Sequence, residues 1–183
     1  MKHLEFSIDG KNLQRAYSVY IIEVKNKKTG RSYYYIGQTS NVALSVRSPF
    51  ARLACHLHPH NKSGENIIYE GIKDSEIFDS RKKIEHFIVN STIRIIYFPL
   101  SKYYYSKRDS EPETIINETK LMEKKLIHHF SQKFGEALLN KLHYKKNIYL
   151  NNTQQQKFIA ILEELDRKGI DVYFDKSDPY LTL

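Results

Sequence analysis

Tryptophan is missing from this chain of 183 residues and cysteine occurs once, at Cys55. A lone cysteine excludes an intramolecular disulfide and the small stapled domains that depend on one. No apolar stretch approaches the roughly 20 residues that cross a bilayer, so a helical membrane span is not expected. The segment from Met1 to Gly10 carries Glu5 and Asp9 and has no apolar block. A secretory leader is therefore not expected, and a cytoplasmic location is. Internal repeats, heptad arrays and low-complexity linkers are also absent. What is present is ordinary for a globular protein: 40% hydrophobic and 27% charged residues, with length for one domain and a terminal extension.

Charge is the first asymmetry. Lys and Arg number 29 against 21 Asp and Glu, a net charge of +8. Such an excess favours a polyanionic partner, because basic side chains release condensed counterions from a phosphate backbone. A composition rich in Lys, Asn, Ile and Tyr raises the isoelectric point without any such partner, so charge alone does not decide. The 14 tyrosines are equally open, since tyrosine packs, stacks on bases and bonds phosphates.

Tyr17 to Val24 is rich in β-branched and aromatic residues and predicts a buried strand. Lys25 to Ser32 predicts a basic turn, and Tyr33 to Gln38 a second strand that closes a hairpin. Ser48-Pro49 has the residue types of a helix start, with Phe50, Leu53, Ala54 and Leu57 on the apolar side. Residues 59–76 predict a loop holding a short element, and Phe78 to Val89 a helix. A third strand is expected over Thr92 to Phe98, stopped by Pro99. Ser101 to Pro112 is polar and looped. Glu113 to Phe134 is the strongest helix, ended by Gly135. A last helix spans about Thr153 to Lys168, and Ile170 to Phe174 is expected to add an edge strand. The order ββ-α-α-β-α, then α-β, predicts an α+β fold with a small antiparallel three-stranded sheet flanked by helices.

One carboxylate is out of place. Ile116, Ile127, Phe130 and Phe134 share one face of the long helix, and Glu123 falls on or beside that stripe. A carboxylate facing a core costs several kcal/mol unless an arginine, hydrogen bonds or a metal ion compensates it. Arg52 and His56 lie four apart on the earlier helix, hence on one face. They read as a phosphate contact beside a proton carrier, or as two solvated side chains. Cys55, His56, His58 and His60 form a local cluster, but ligands radiating from one helix end, with no second group to answer them, do not make a zinc cage.

These signals share one order along the chain. Ser18-Val19-Tyr20 lies on the first strand, Tyr35-Ile36-Gly37 on the second, and Arg52 and His56 on a helix. Glu123-Lys124-Lys125-Leu126-Ile127 follows on the long helix, which leads into Leu138-Leu139-Asn140. The set resembles the GIY-YIG nuclease family: a tyrosine on each hairpin strand, an Arg-x-x-x-His helix, a Glu-x-x-Leu-Ile helix and a terminal asparagine. The resemblance covers about residues 17–141 and implies a nuclease domain there. It leaves 1–16 as a lead-in, 142–183 as a C-terminal extension, and insertions near 59–76 and 99–112. Two departures stand out. The first motif is Ser-Val-Tyr rather than Gly-Ile-Tyr, and the long interval from Gly37 to Arg52 makes Arg47 a rival for the arginine.

The resemblance implies an endonuclease that hydrolyses phosphodiester bonds, in DNA rather than RNA, with Glu123 holding one divalent ion. Oxygen ligation points to Mg²⁺, with Mn²⁺ as a substitute. Arg52 is then expected on the scissile phosphate and Tyr20 as general base. A free phenol, with a pKa of about 10, is a poor base unless a cation assists it. Tyr35 would hydrogen-bond the water or a phosphate oxygen, His56 would join the proton network, and Gly37 and Asn140 would support the site. Lys27, Lys28 and Arg31 on the hairpin turn are candidate backbone-phosphate contacts. The alternative is a nucleic-acid-binding protein that keeps the fold without cutting.

Overall fold

From Ala16 to Asn26 every residue except Lys25 is buried. A strand covered on both faces has no polar side to show, which is why its sequence reads as a nearly unbroken apolar run. This strand, β1 (Ala16–Asn26), is central in an antiparallel sheet of order β2-β1-β3, with β2 at Ser32–Gln38 and β3 at Ser91–Lys102. The structure is a computed structural model that describes residues 7, 9–39, 48–57, 67–76, 78, 80–102, 113–141 and 148–172.

Three helices lie between β2 and β3: α1 (Pro49–Leu57), α2 (Ile67–Ser75) and α3 (Arg81–Val89). After β3 come α4 (Glu113–Phe134) and α5 (Asn152–Arg167). The described residues thus form an α+β fold of one three-stranded antiparallel sheet and five α-helices. None of these helices is long and apolar enough to cross a membrane.

The pleat sends alternate side chains into two cores. Val19, Ile21, Tyr34 and Ile36 meet Met122, Leu126 and Phe130 of α4 and Phe158, Leu162 and Leu165 of α5. Tyr20, Ile22, Tyr33 and Tyr35 meet Ile68 and Ile72 of α2, Ile84 and Phe87 of α3, and the partly buried Leu53 and Leu57 of α1. Helix α5, in the expected C-terminal extension, therefore packs into the same core as the hairpin.

Helix ends follow local chemistry. Ser48 Oγ accepts from Ala51 N at 3.3 Å, and Pro49 opens α1. Asn151 and Gln154 form a reciprocal capping box at α5, each bond 3.0 Å. Gly135, with φ at 52°, ends α4 in a conformation that side chains disfavour.

Three expectations need correction. Pro99 does not stop β3, which runs on to Lys102. Proline lacks a donor, but β3 is an edge strand, Pro99 is exposed, and an irregularity at Tyr17/Ser18 takes up the mismatch. Ile170 to Val172 form no strand; Ile170 and Val172 bury instead in the first core, at 0% and 1% exposure. Residues 173 and 174 lie outside the described residues, as do 103–112. The helix expected from Phe78 begins at Arg81, and the short element expected within 59–76 is α2.

Candidate active site

The second core carries the polar cluster. Tyr20 of β1 stands opposite Gly37 of β2 in the strand register. A Cβ built on Gly37 would fall 2.8 Å from Cε2 of Tyr20 and closer still to its hydroxyl. Residue 37 must therefore lack a side chain for the Tyr20 ring to lie across β2.

The Tyr20 hydroxyl lies 2.8 Å from His56 Nε2. Arg52 Nε donates to the same oxygen at 3.4 Å. Tyr35 packs beside the imidazole, its ring centroid 4.5 Å from that of His56 and 6.4 Å from that of Tyr20. The phenol oxygen thus has an arginine donor and an imidazole within proton-transfer distance. The four-residue spacing on α1 places both groups on one oxygen.

The apolar face expected on α1 is partly wrong. Ala54 is exposed, whereas His56 is fully buried. The hydrogen bond to Tyr20 compensates the burial of the imidazole, so a polar residue takes the deepest place on an otherwise apolar face. Its bond to Tyr20 also sets His56 apart from a zinc role; His58, His60 and Arg47 lie outside the described residues. Among the described residues, no three His, Cys, Asp or Glu side chains stand together as a metal cage.

Glu123 comes from the opposite side of the sheet. The buried stripe of α4 runs through Thr119, Met122, Leu126, Ile127 and Phe130, so Glu123 sits at its margin, half-buried. Among the described residues it makes no hydrogen bond or ion pair. Burial pushes its carboxyl up to about 7, opposed by the charges of Arg52, Lys124 and Lys120. Arg52, which bonds Tyr20, is the strongest of those charges and ties Glu123 to the α1–hairpin cluster. Tyr20 and His56 are fully buried, while Arg52 and Glu123 are only partly covered. Solvent therefore meets the cluster at Arg52 and Glu123, with the tyrosine–histidine pair behind them.

The residues suit a hard divalent cation bound largely by water and substrate oxygen. One under-compensated carboxylate, raised by burial, gains most from a positive ion.

Asn140 has a structural task. Its Oδ1 accepts from Ile36 N at 2.9 Å and its Nδ2 donates to Ile36 O at 2.8 Å. Leu139 N donates to Tyr34 O at 2.7 Å just before it. The segment after α4 thus pairs with the outer edge of β2 and clamps the strand that carries Tyr35 and Gly37. Asn140→Ala leaves both Ile36 groups without partners at a covered edge, and should cost about 2 kcal/mol. Thermal melting is expected to shift down by roughly 4–8 °C; an unchanged midpoint would remove the clamp from the account.

The hairpin-turn cations do not join this cluster. Lys27, Lys28 and Arg31 lie at the far end of β1, roughly 20 Å of strand from Tyr20. Arg31 pairs with Glu76 at 3.6 Å. Tyr33, whose hydroxyl donates to the same carboxylate, has its phenol pushed up to about 12 by burial and then by Glu76. Lys120 and Lys124 flank Glu123 on α4 at a four-residue spacing that is visible in the chain, and their charges act on its carboxyl. No protein-family model matches the chain, and no curated protein and no solved structure matches it either.

Proposed function

We propose that this chain is a metal-dependent endonuclease of the GIY-YIG type, hydrolysing phosphodiester bonds in DNA. The observation that carries the reading is the convergence of Tyr20, His56 and Arg52 on one phenol oxygen, with Glu123 coupled to the same arginine. A structural core has little use for an arginine, a buried histidine and a half-buried carboxylate gathered this way. The order of elements also supports it: hairpin, arginine helix, third strand, glutamate helix, then an asparagine that ties back to the hairpin.

Glu123 would hold Mg²⁺, which when bound supplies Lewis-acid stabilisation of phosphate charge. Arg52 takes the scissile phosphate through its guanidinium and offsets negative charge as it builds. On turning to phosphate, its Nε leaves the Tyr20 hydroxyl. That oxygen is then available to the attacking water, and His56 Nε2 is placed to take the phenol proton. Tyr35 holds the imidazole in position, and Asn140 holds the strand that holds Tyr35.

Supercoiled plasmid incubated with Mg²⁺, Mn²⁺ or EDTA tests this directly. Nicking or linearisation is expected with either ion and none with EDTA. Tyr20→Phe keeps the ring packing and removes only the hydroxyl, so the rate should fall by about 10²-fold or more with plasmid affinity retained. Plasmid binding without cleavage under every metal condition would favour the non-cutting protein instead.

A further inference from the structure

Two buried hydroxyls stand just along the hairpin from Tyr20 and Gly37 and take no part in the chemistry proposed there. Ser18 and Thr39 are 0% and 2% exposed. Ser18 lies two residues before Tyr20 on β1 and so shares its face of the sheet. Thr39 lies two residues after Gly37, just past the end of β2.

The two residues do not pair as a regular ladder would. Thr39 N donates to Ser18 O at 3.0 Å, as β2 would if it continued. The return bond is different. Ser18 N donates to the Thr39 hydroxyl at 2.9 Å, where a regular antiparallel pair would use the Thr39 carbonyl. The same hydroxyl donates to Ala16 O and accepts from Ser18 Oγ at 3.1 Å. A hydroxyl offers one donor and two acceptor sites, and here all three are used. Across β1, the register with β3 breaks at Tyr17/Ser18, and such an irregularity weakens the ladder locally. Thr39 thus grips, from the β2 side, the part of β1 that β3 holds irregularly.

Tyr20 depends on that grip. Its hydroxyl lies 2.8 Å from His56 Nε2, and its ring crosses Gly37 with no room for a Cβ. We infer that Thr39, together with Ser18, is a positioning residue for Tyr20. The hydroxyl pair fixes the start of β1, and this keeps the phenol oxygen on the His56 nitrogen. The effect on rate rests on the nuclease reading; the effect on the Tyr20–His56 contact does not. Ser18, where the first motif departs from Gly-Ile-Tyr, supplies a hydroxyl to Thr39 that a glycine lacks.

The test compares the full chain with Thr39→Val, which keeps the shape and removes the hydroxyl, and with Thr39→Ser, which restores it. Ring ¹⁵N signals of His56 report the contact, and Tyr20→Phe marks their position once it is lost. Thr39→Val should move these signals most of the way to the Tyr20→Phe position. It should also lower kcat for plasmid cleavage about 30-fold, with KM held within about twofold. Thr39→Ser should return both readouts to within about threefold of the parent. Phe158→Leu, in the other core, lowers the melting temperature and should leave both readouts in place. If Thr39→Val does not fold, Ser18→Ala takes its place, since it removes only one of the three bonds on Thr39 Oγ1. A smaller shift in the same direction and about a fivefold loss of kcat are then expected. Unmoved His56 signals, an unmoved kcat where the parent cuts, the same change in Phe158→Leu, or no rescue by serine would each overturn the inference. His56 signals that respond as expected in a chain that cuts no plasmid retain this role and sink the nuclease. Cleavage in a chain whose rate and His56 signals ignore Thr39→Val does the reverse.

Discussion

Glu123→Gln should lower Mg²⁺-dependent plasmid cleavage by about 10³-fold, because the carboxylate that anchors the ion supplies several kcal/mol of charge stabilisation. The same variant should be more stable than the parent at alkaline pH without metal. Burial raises the folded-state carboxyl from 4.5 to about 7. The folded chain therefore holds this proton more tightly than the unfolded chain does. Its contribution to stability is fully present below about pH 4.5 and is lost as pH rises through about 7. Above that, the folded protein carries a desolvated carboxylate, a cost on the order of 2 kcal/mol once partial exposure is allowed for. Glutamine has no such titration. In EDTA at pH 8.5 the variant should melt roughly 4–8 °C above the parent, and at pH 5 the two should converge. Mg²⁺ should raise the melting temperature of the parent at pH 8.5 and leave the variant unmoved. A difference independent of pH, or full cleavage by the variant, would remove Glu123 from the metal role.

Gly37→Ala should cost about 3 kcal/mol and abolish cleavage. The new methyl would overlap the Tyr20 ring and hydroxyl. Tyr20 has nowhere to move, being fully buried, bonded to His56 and flanked by Tyr35. Displacing its hydroxyl breaks the contacts with His56 and Arg52 together. A double-mutant cycle identifies the cause. In a Tyr20→Leu background the ring is gone, so the same alanine should cost less than about 1 kcal/mol by urea denaturation. Equal costs in both backgrounds would place the strain elsewhere on β2.

The candidate site was legible wherever its logic is local. Arg52 and His56 share a helix face at a spacing visible in the chain, and both reach the Tyr20 oxygen. Glu123 was visible as a carboxylate at the margin of an apolar stripe. Lys27, Lys28 and Arg31 read as phosphate contacts from charge alone, yet strand length separates them from Tyr20. Charge in a sequence carries no information on which end of a hairpin a side chain occupies.

Local chemistry set the hairpin, the helix start at Ser48 and the α4 stop at Gly135, because strand propensity, caps and left-handed glycines act over a few residues. The tertiary structure decided what depends on a partner far along the chain. Asn140 clamps Ile36 from 104 residues away, and His56 occupies the deepest point of α1 because Tyr20 meets its nitrogen there. β3 passes through Pro99 because its place at the sheet edge makes the missing donor harmless. Ile170 and Val172 bury without pairing because α4 and α5 leave an apolar seat for them. Burial and edge position are properties of what lies opposite, and no window along the chain contains that.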